Sequence, residues 1–467
     1  MDQHSKKEKK EIDRRKFLKV MGAGVVATTA ALTGCGDSHR SQSGAGGSAP
    51  EGGYGEMTYR VNPHTGDKVS LLGYGCMRWP MRPKADGSGE EEIDQETVNE
   101  LVDYAIEHGV NYFDTSPVYI RGFSERASGI ALKRHPREKF YIATKLSNQS
   151  NYTRENSLAM YYKSFEELQV DYIDYYLLHS VGGGSGIQLV HDRYIDNGMI
   201  DFLLKEKEAG RIRNLGWSFH GQVEVFDYML SLDIPWDFVQ IQLNYVDWRN
   251  AQPGRNVNAE YLYAELEKRD IPVVIMEPLL GGRLAQLPDH LVGLLKQQRP
   301  DDSVASWAFR YAGTPKGVLT SLSGMTYLEH LQDNLRTHSP LEPITPEENA
   351  LLERITELML NYPIIMCTEC QYCMPCLYGI NIPGIFAHYN KCVNEANVPT
   401  SSRDENYRKA RRAFLVGYDR SVPKLRQSDY CISCGICEPH CPQSIRIPQE
   451  MERINKPVEQ LKQNVEF

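Results

Sequence analysis

Positive charge is what this 467-residue chain lacks: 52 lysines and arginines face 61 aspartates and glutamates, leaving a net charge of −9. Gripping backbone phosphates needs a basic stripe, so this balance argues against general nucleic-acid binding. Long apolar runs are scarce as well, and the uncharged stretch from Val20 to Leu32 is too short to span a bilayer comfortably. Cysteine is nearly missing from the first three quarters of the chain. Only Cys35 and Cys76 occur there, and the other nine of the eleven begin at Cys367. A disulfide framework would be spread more evenly and at longer spacings. No GxGxxG follows the first apolar run of the middle region, which counts against an open dinucleotide-binding sheet.

What is present begins with an address. Arg14 and Arg15 precede Phe17-Leu18-Lys19 and the short apolar core, a pattern that resembles a twin-arginine signal peptide over residues 1–34. Such a signal exports proteins already folded. The core ends Leu32-Thr33-Gly34-Cys35, similar to a bacterial lipobox, which implies cleavage before Cys35 and acylation of its thiol. An uncleaved anchor or a lipid-free cleavage is the alternative. Residues 35–56 are rich in serine and glycine and read as a flexible linker. The expected location is the bacterial cell envelope or periplasm, with the membrane reached through a lipid on Cys35.

Residues 57–340 carry eight short apolar runs: VSLLGYGCM, VNYFDTS, FYIATK, DYIDYYLLH, IRNLGWSF, FVQIQLN, PVVIMEP and GVLTSLSG. They are mostly too hydrophobic on both faces for half-exposed strands and suit a buried parallel sheet. Helical periodicities lie between them. In ETVNELVDYAIEHG, Val98, Leu101, Val102, Ala105 and Ile106 share one face, and Gly109 ends the turn. Eight strands alternating with helices form an α/β fold, a (β/α)8 TIM barrel, whose chemistry sits at the C-terminal ends of the strands.

Those ends are polar. The second run delivers Asp114 and Tyr119, the third Lys145 and the fourth His179. An ammonium at the end of an apolar strand needs a partner such as Asp114. A tyrosine is a weak acid, with a pKa of about 10, and a nearby ammonium is expected to lower it. A neutral histidine can orient the same carbonyl oxygen. The group can protonate an oxygen while hydride reaches the carbon.

LGYGCMRWP, GVNYFDTSPVYIRGFSE, YIATK, DYYLLH, GWSFHG and EPLLGGRL, in this order, resemble an aldo-keto reductase over residues 69–336. The resemblance implies Asp114, Tyr119, Lys145 and His179 as a catalytic tetrad, with Tyr119 the general acid/base. It also implies a nicotinamide dinucleotide, NADP or NAD, across the barrel mouth. Ser218 and Gln240 would meet its carboxamide, Gly282, Arg283 and Leu284 its pyrophosphate, and Asn334 its adenine. The chain departs from the family at Phe219, where asparagine is usual, at Met276 in place of an aromatic, and at His330 in place of an arginine.

Residues 341–467 are expected to form a small α-helical, ferredoxin-like iron–sulfur domain. Cys431, Cys434, Cys437 and Cys441 followed by Pro442 match the bacterial ferredoxin run, whose fourth cysteine ligates the other cluster. The first run, Cys367, Cys370, Cys373 and Cys376, is one residue shorter. By that crossing rule, Cys367, Cys370 and Cys373 with Cys441 hold one [4Fe–4S] cluster, and Cys431, Cys434 and Cys437 with Cys376 hold the other. Cys392 is spare, inert or a substitute for Cys376. Zinc bound by four cysteines is the competing assignment. The basic, aromatic stretch RDENYRKARRAFLVGYDR is either a solvated helix face or a counter-charge and docking patch.

Together these features predict an oxidoreductase that interconverts a small-molecule carbonyl and an alcohol, coupled to two [4Fe–4S] clusters for electron transfer. Joining one- to two-electron steps calls for a flavin- or quinone-linked redox partner. An exported protein also needs a dinucleotide retained from before export, or another hydride carrier. The alternative is a ferredoxin-like electron carrier whose barrel is a non-catalytic docking or ligand-binding body. Tyr245 and Trp248 are expected near the pocket.

Overall fold

The computed structural model describes residues 53–86, 90–183, 186–251, 256–360, 364–399, 401–441, 443 and 445–463. The signal peptide, the lipobox at Cys35 and the linker up to residue 52 lie outside the described residues.

Eight parallel strands close a barrel: β1 Leu72–Gly75, β2 Tyr112–Asp114, β3 Tyr141–Leu146, β4 Ile173–Val181, β5 Ile212–Phe219, β6 Phe238–Gln242, β7 Val273–Met276 and β8 Val318–Ser323. Each neighbour in space is the neighbour in sequence, and β8 completes the circle against β1 through Ser321↔Leu72 and Ser323↔Tyr74. Six lie within the apolar runs picked out above, while β3 extends one residue beyond its run and β4 two. Of the nine residues of β4 only Ser180 is not fully buried, because one face fills the cylinder while the other lies under helices. An antiparallel hairpin, Tyr59–Val61 with Lys68–Ser70, leads into β1, and its Val69 packs with Tyr112, Tyr175, Phe238 and Leu319.

The helix Gln95–Glu107 shows how local sequence sets the outer layer. Asp94 caps it by accepting from the Thr97 backbone N–H and hydroxyl, and Gly109 at φ +90° turns the chain back toward β2. Val98, Leu101, Val102 and Ala105 are buried on one face. Each large side chain there contributes about 1.5–3 kcal/mol relative to exposure.

The helix Pro346–Leu360 belongs with the barrel by packing, although the composition change places a boundary at 340. Leu352, Ile355 and Met359 join Leu280, Leu284 and Trp307. Its Glu348 accepts from Arg310 at 2.7 Å and Arg299 at 2.6 Å. A separate apolar cluster begins at Ile365 and gathers the helices Ile382–Asn394, Tyr407–Ser421 and Ile447–Gln463. The basic stretch forms the middle helix of this group, with Phe414 and Tyr418 buried, Arg408, Arg412 and Arg420 exposed, and Arg411 donating to Leu461 O of the last helix at 2.8 Å.

Candidate active site

Asp114 is the last residue of β2 and Lys145 the fifth of β3, so both face the mouth where those strands end. Lys145 Nζ donates to Asp114 Oδ1 at 2.5 Å and to Thr115 O at 2.9 Å. Both side chains are almost wholly buried. Asp114 Oδ2 is buried with no partner among the described residues. Burial pushes the carboxyl up and the amine down, each toward its neutral form, and their mutual attraction opposes both shifts.

Tyr119 follows in a short turn after β2, with Ile120 and Arg121 at φ +49° and +55°. Lys145 Nζ lies 4.9 Å from the centre of its ring, over the face. His179 of β4 meets the ring edge-on at 5.9 Å between centroids. The four residues expected at the strand ends are therefore together. The direction of the Tyr119 pKa differs from expectation: burial pushes it well above the ordinary value, and Asp114, Cys76 and Glu277 add to the rise. The ammonium is held by Asp114 and sits over the ring rather than at the hydroxyl, so it does not stabilise a phenolate. Tyr119 keeps its proton, as a proton donor must.

His179 is pushed well below the ordinary histidine range, first by burial and then by Lys145, Arg193 and His220. It is neutral near pH 7. Ser147 Oγ stands 2.5 Å from Nδ1 and 2.8 Å from Ser116 Oγ. With Ser147 donating to Nδ1, the ring carries its proton on Nε2. Above the strand, His179 O accepts from Arg193 at 2.7 Å and Tyr194 at 3.0 Å. Sequence reasoning missed Ser116, Ser147 and Arg193. The serines follow the same strand ends as Asp114 and Lys145, which was the available signal.

The residues implied for a dinucleotide fall into two halves. Gln240 Oε1 is buried without a partner among the described residues, and Ser218 Oγ accepts from the Ser180 backbone N–H at 2.8 Å, keeping its own proton to give. These two fit a carboxamide. Gly282, at φ +99°, has open space where a Cβ would point. Beside it, Gly281 lies against Thr368, and Arg283 donates to Met366 Sδ at 2.6 Å. Leu284 is buried in the outer core, and Asn334 donates to Ser323 Oγ at 2.9 Å. The ring end fits a nicotinamide; at the phosphate end Gly282 is open, while Gly281 and Arg283 meet the tail. Tyr245 and Trp248 both pack against Tyr311 in the outer layer rather than standing free in the mouth. Phe219 is likewise in the core, against Trp217 and Phe226.

The loop after β7 also carries Glu277, unremarked in the sequence. Burial pushes it up to about 7, Asp247 adds to the rise, and Arg78 and Arg283 oppose it. Gln443, beyond the second cysteine run, donates to its Oε2 at 3.1 Å.

The cysteines line two hollows of about 310 Å³ each, solvent-facing side included. Cys367, Cys370, Cys373 and Cys441 line the one beside the barrel mouth. Cys376, Cys431, Cys434 and Cys437 line the other, and Ile382 and Ile447 stand between the two. The grouping is that of the crossing rule. Burial pushes the Cys367 and Cys373 thiols up to about 12, so a thiolate there is stable only against bound positive charge. Cys392 lies outside both hollows, buried against His388 at 3.4 Å.

Known proteins match the barrel. L-galactose dehydrogenase of Arabidopsis thaliana is 25% identical over 317 residues, covering 64% of this chain and 93% of that protein. An aldo-keto reductase of Mycolicibacterium smegmatis is 32% identical over 206 residues, covering 43% of this chain and 64% of that protein. In structure, the holo form of an aldo-keto reductase from Bacillus halodurans shares the fold with a TM-score of 0.50 at 23% identity, over 64% of this chain and 96% of that one. So does an aldo/keto reductase from Klebsiella pneumoniae in complex with NADP and acetate, with a TM-score of 0.50 at 20% identity, over 64% and 95%. With residues 71–357, more than half its length, matching the family profile, the chain belongs to the aldo/keto reductase family.

Proposed function

We propose that this chain is an oxidoreductase that interconverts a small-molecule carbonyl and an alcohol at Tyr119 and exchanges the electrons through two [4Fe–4S] clusters. The observation that carries the chemical half is the Asp114–Lys145 pair at 2.5 Å beneath the Tyr119 ring, with His179 at its edge. Tyr119 gives its proton to the carbonyl oxygen during reduction and takes it back during oxidation. His179 Nε2 holds that same oxygen in place, its ring fixed by Ser147. Lys145 stays anchored by Asp114 and Thr115 against the face of the Tyr119 ring.

The electron-transfer half rests on the two sets of four cysteines. Zinc would draw four sulfurs to about 2.3 Å from one centre. Four thiols spaced around a hollow suit a cluster in which each iron takes one sulfur. Such clusters supply single electrons. The outer hollow opens beside exposed Cys434, with Tyr378, Ile432 and Ile436 exposed around it. A flavin- or quinone-linked partner would dock there.

A nicotinamide is supported by Gln240 and Ser218 and by the solved relative in complex with NADP and acetate, while the tail meets Gly281 and Arg283 at the phosphate end. The similarity to L-galactose dehydrogenase favours a sugar as the substrate. Export by the twin-arginine route and a lipid on Cys35 complete the proposal, since clusters assembled in the cytoplasm would leave it inside folded protein.

The test is Tyr119→Phe in the full, cluster-loaded chain, assayed anaerobically with reduced methyl viologen and a panel of aldoses and aromatic aldehydes. Carbonyl turnover should fall about 10²–10⁴-fold while the visible spectrum stays unchanged. Undiminished turnover refutes the chemistry and leaves the electron-carrier reading.

A further inference from the structure

The mouth of the barrel is walled on one side by the cysteine tail. Thr368 presses on the loop after β7: a Cβ on Gly281 would stand 2.2 Å from Thr368 Cβ and 2.6 Å from its Cα. From the loop after β1, Arg78 Nη2 donates to Thr368 O at 2.8 Å. Arg283, the cation of the β7 loop, spends an N–H on Met366 Sδ at 2.6 Å, and Met366 packs onto the cluster containing Leu280 and Leu284. Gln443 reaches the same loop through Glu277.

A pyrophosphate needs free backbone amides and an available cation. Here one glycine of the loop is in contact with Thr368, the guanidinium is engaged, and a carboxylate, Glu277, stands nearby. We propose that the cysteine tail occupies the place of a dinucleotide's phosphate half, so that the chain takes no diffusible NADP(H) or NAD(H), and the hollow of Cys367, Cys370, Cys373 and Cys441 is the redox site facing the reaction centre. The inference rests on reading the tail as a cluster carrier. Reducing one carbonyl to an alcohol then draws two electrons, one at a time, from a one-electron carrier protein, together with two protons, one from Tyr119 to the oxygen and one from solvent water to the carbon.

Two measurements on the full chain, purified anaerobically with iron and sulfide counted, decide it. In the first, NADPH and NADH are titrated against the protein and the acid extract is searched for dinucleotide. Neither should bind with a Kd below about 1 mM, and the extract should hold none. Binding below that value, or a stoichiometric dinucleotide in the extract, overturns the inference while leaving the clusters and Tyr119 in place. A chain without iron and sulfide overturns the electron-transfer reading and this inference with it.

In the second, Gly281→Ala is compared with Gly282→Ala. Both glycines have positive φ, +67° and +99°, but only a Cβ at 281 meets the tail. Overpacking there should loosen the 366–370 segment, so a chelator should strip iron at least about fivefold faster from G281A than from wild type. G282A, strained by its own φ but clear of the tail, should lose iron less than about half as fast as G281A. Equal rates for G281A and G282A overturn the docking.

Discussion

The Asp114–Lys145 pair offers the sharpest quantitative test. Its two charged groups meet at 2.5 Å with side-chain exposures of 3% and 1%. Replacing Asp114 by alanine leaves a buried amine beside Thr115 O alone, and breaking such a pair costs about 3–5 kcal/mol. At about 2 °C per kcal/mol for a chain of this size, the apparent Tm should fall by about 6–10 °C. The loss has a defined pH dependence. Burial already holds the Lys145 pKa below its ordinary value, and removing the carboxylate lowers it further. The unfolded chain, with a lysine pKa of about 10.4, then binds the proton more tightly than the folded one. Stability must therefore rise with pH below that value, by at most about 1.4 kcal/mol per pH unit. Anaerobic scanning fluorimetry of the cluster-loaded protein should show the D114A deficit large at pH 7 and smaller at pH 9. Adding Lys145→Met, which matches the stem without the charge, should recover most of the Tm. An unchanged Tm in D114A, or a deficit that grows with pH, would refute the buried pair.

Ser147→Ala should lower kcat about 5–100-fold with little change in KM, because His179 loses the partner that sets its tautomer; Ser147→Thr should rescue it, and equal KM and kcat losses would count against a positioning role. The acid limb of kcat/KM should lie below the ordinary histidine range, since burial favours neutral His179. Cys441→Ser should remove the same electron paramagnetic resonance signal as Cys367→Ser, and Cys376→Ser the same as Cys431→Ser; losses that follow sequence runs instead would break the crossed grouping. Glu125, bonded to Thr144 at 2.6 Å, is pushed up by burial to about 7 from 4.5. Between those values the folded state holds the extra proton, so stability falls as pH rises. Glu125→Gln should be more stable than wild type at pH 8, by at most about 3 kcal/mol, and no different at pH 4.5, as urea midpoints would show.

Much of the barrel was legible because its signals are local. Each strand is a short run apolar on both faces, and β2, β3 and β4 carry at or just beyond their ends the polar residues that a functional mouth explains. Asp114 and Lys145 could be paired on paper, since a lone ammonium has no place at the end of a buried strand. The cysteine spacing likewise foretold which thiols share a hollow. Ser147 escaped notice because serine after a strand is common and nothing in its neighbours points to His179, 32 residues on. The helix Pro346–Leu360 was assigned across a boundary of composition, whereas its apolar stripe packs back on the barrel.

The sequence by itself determined the repeating strand-and-helix order, the four polar residues at three successive strand ends and the two runs of closely spaced thiols, because these follow from side-chain periodicity and spacing along the chain. Tertiary structure decided that Tyr119 holds its proton tightly and that Thr368 lies on Gly281. Both depend on which distant segments exclude water from a given atom, and solvent exclusion is a property of the packed whole rather than of any stretch of residues.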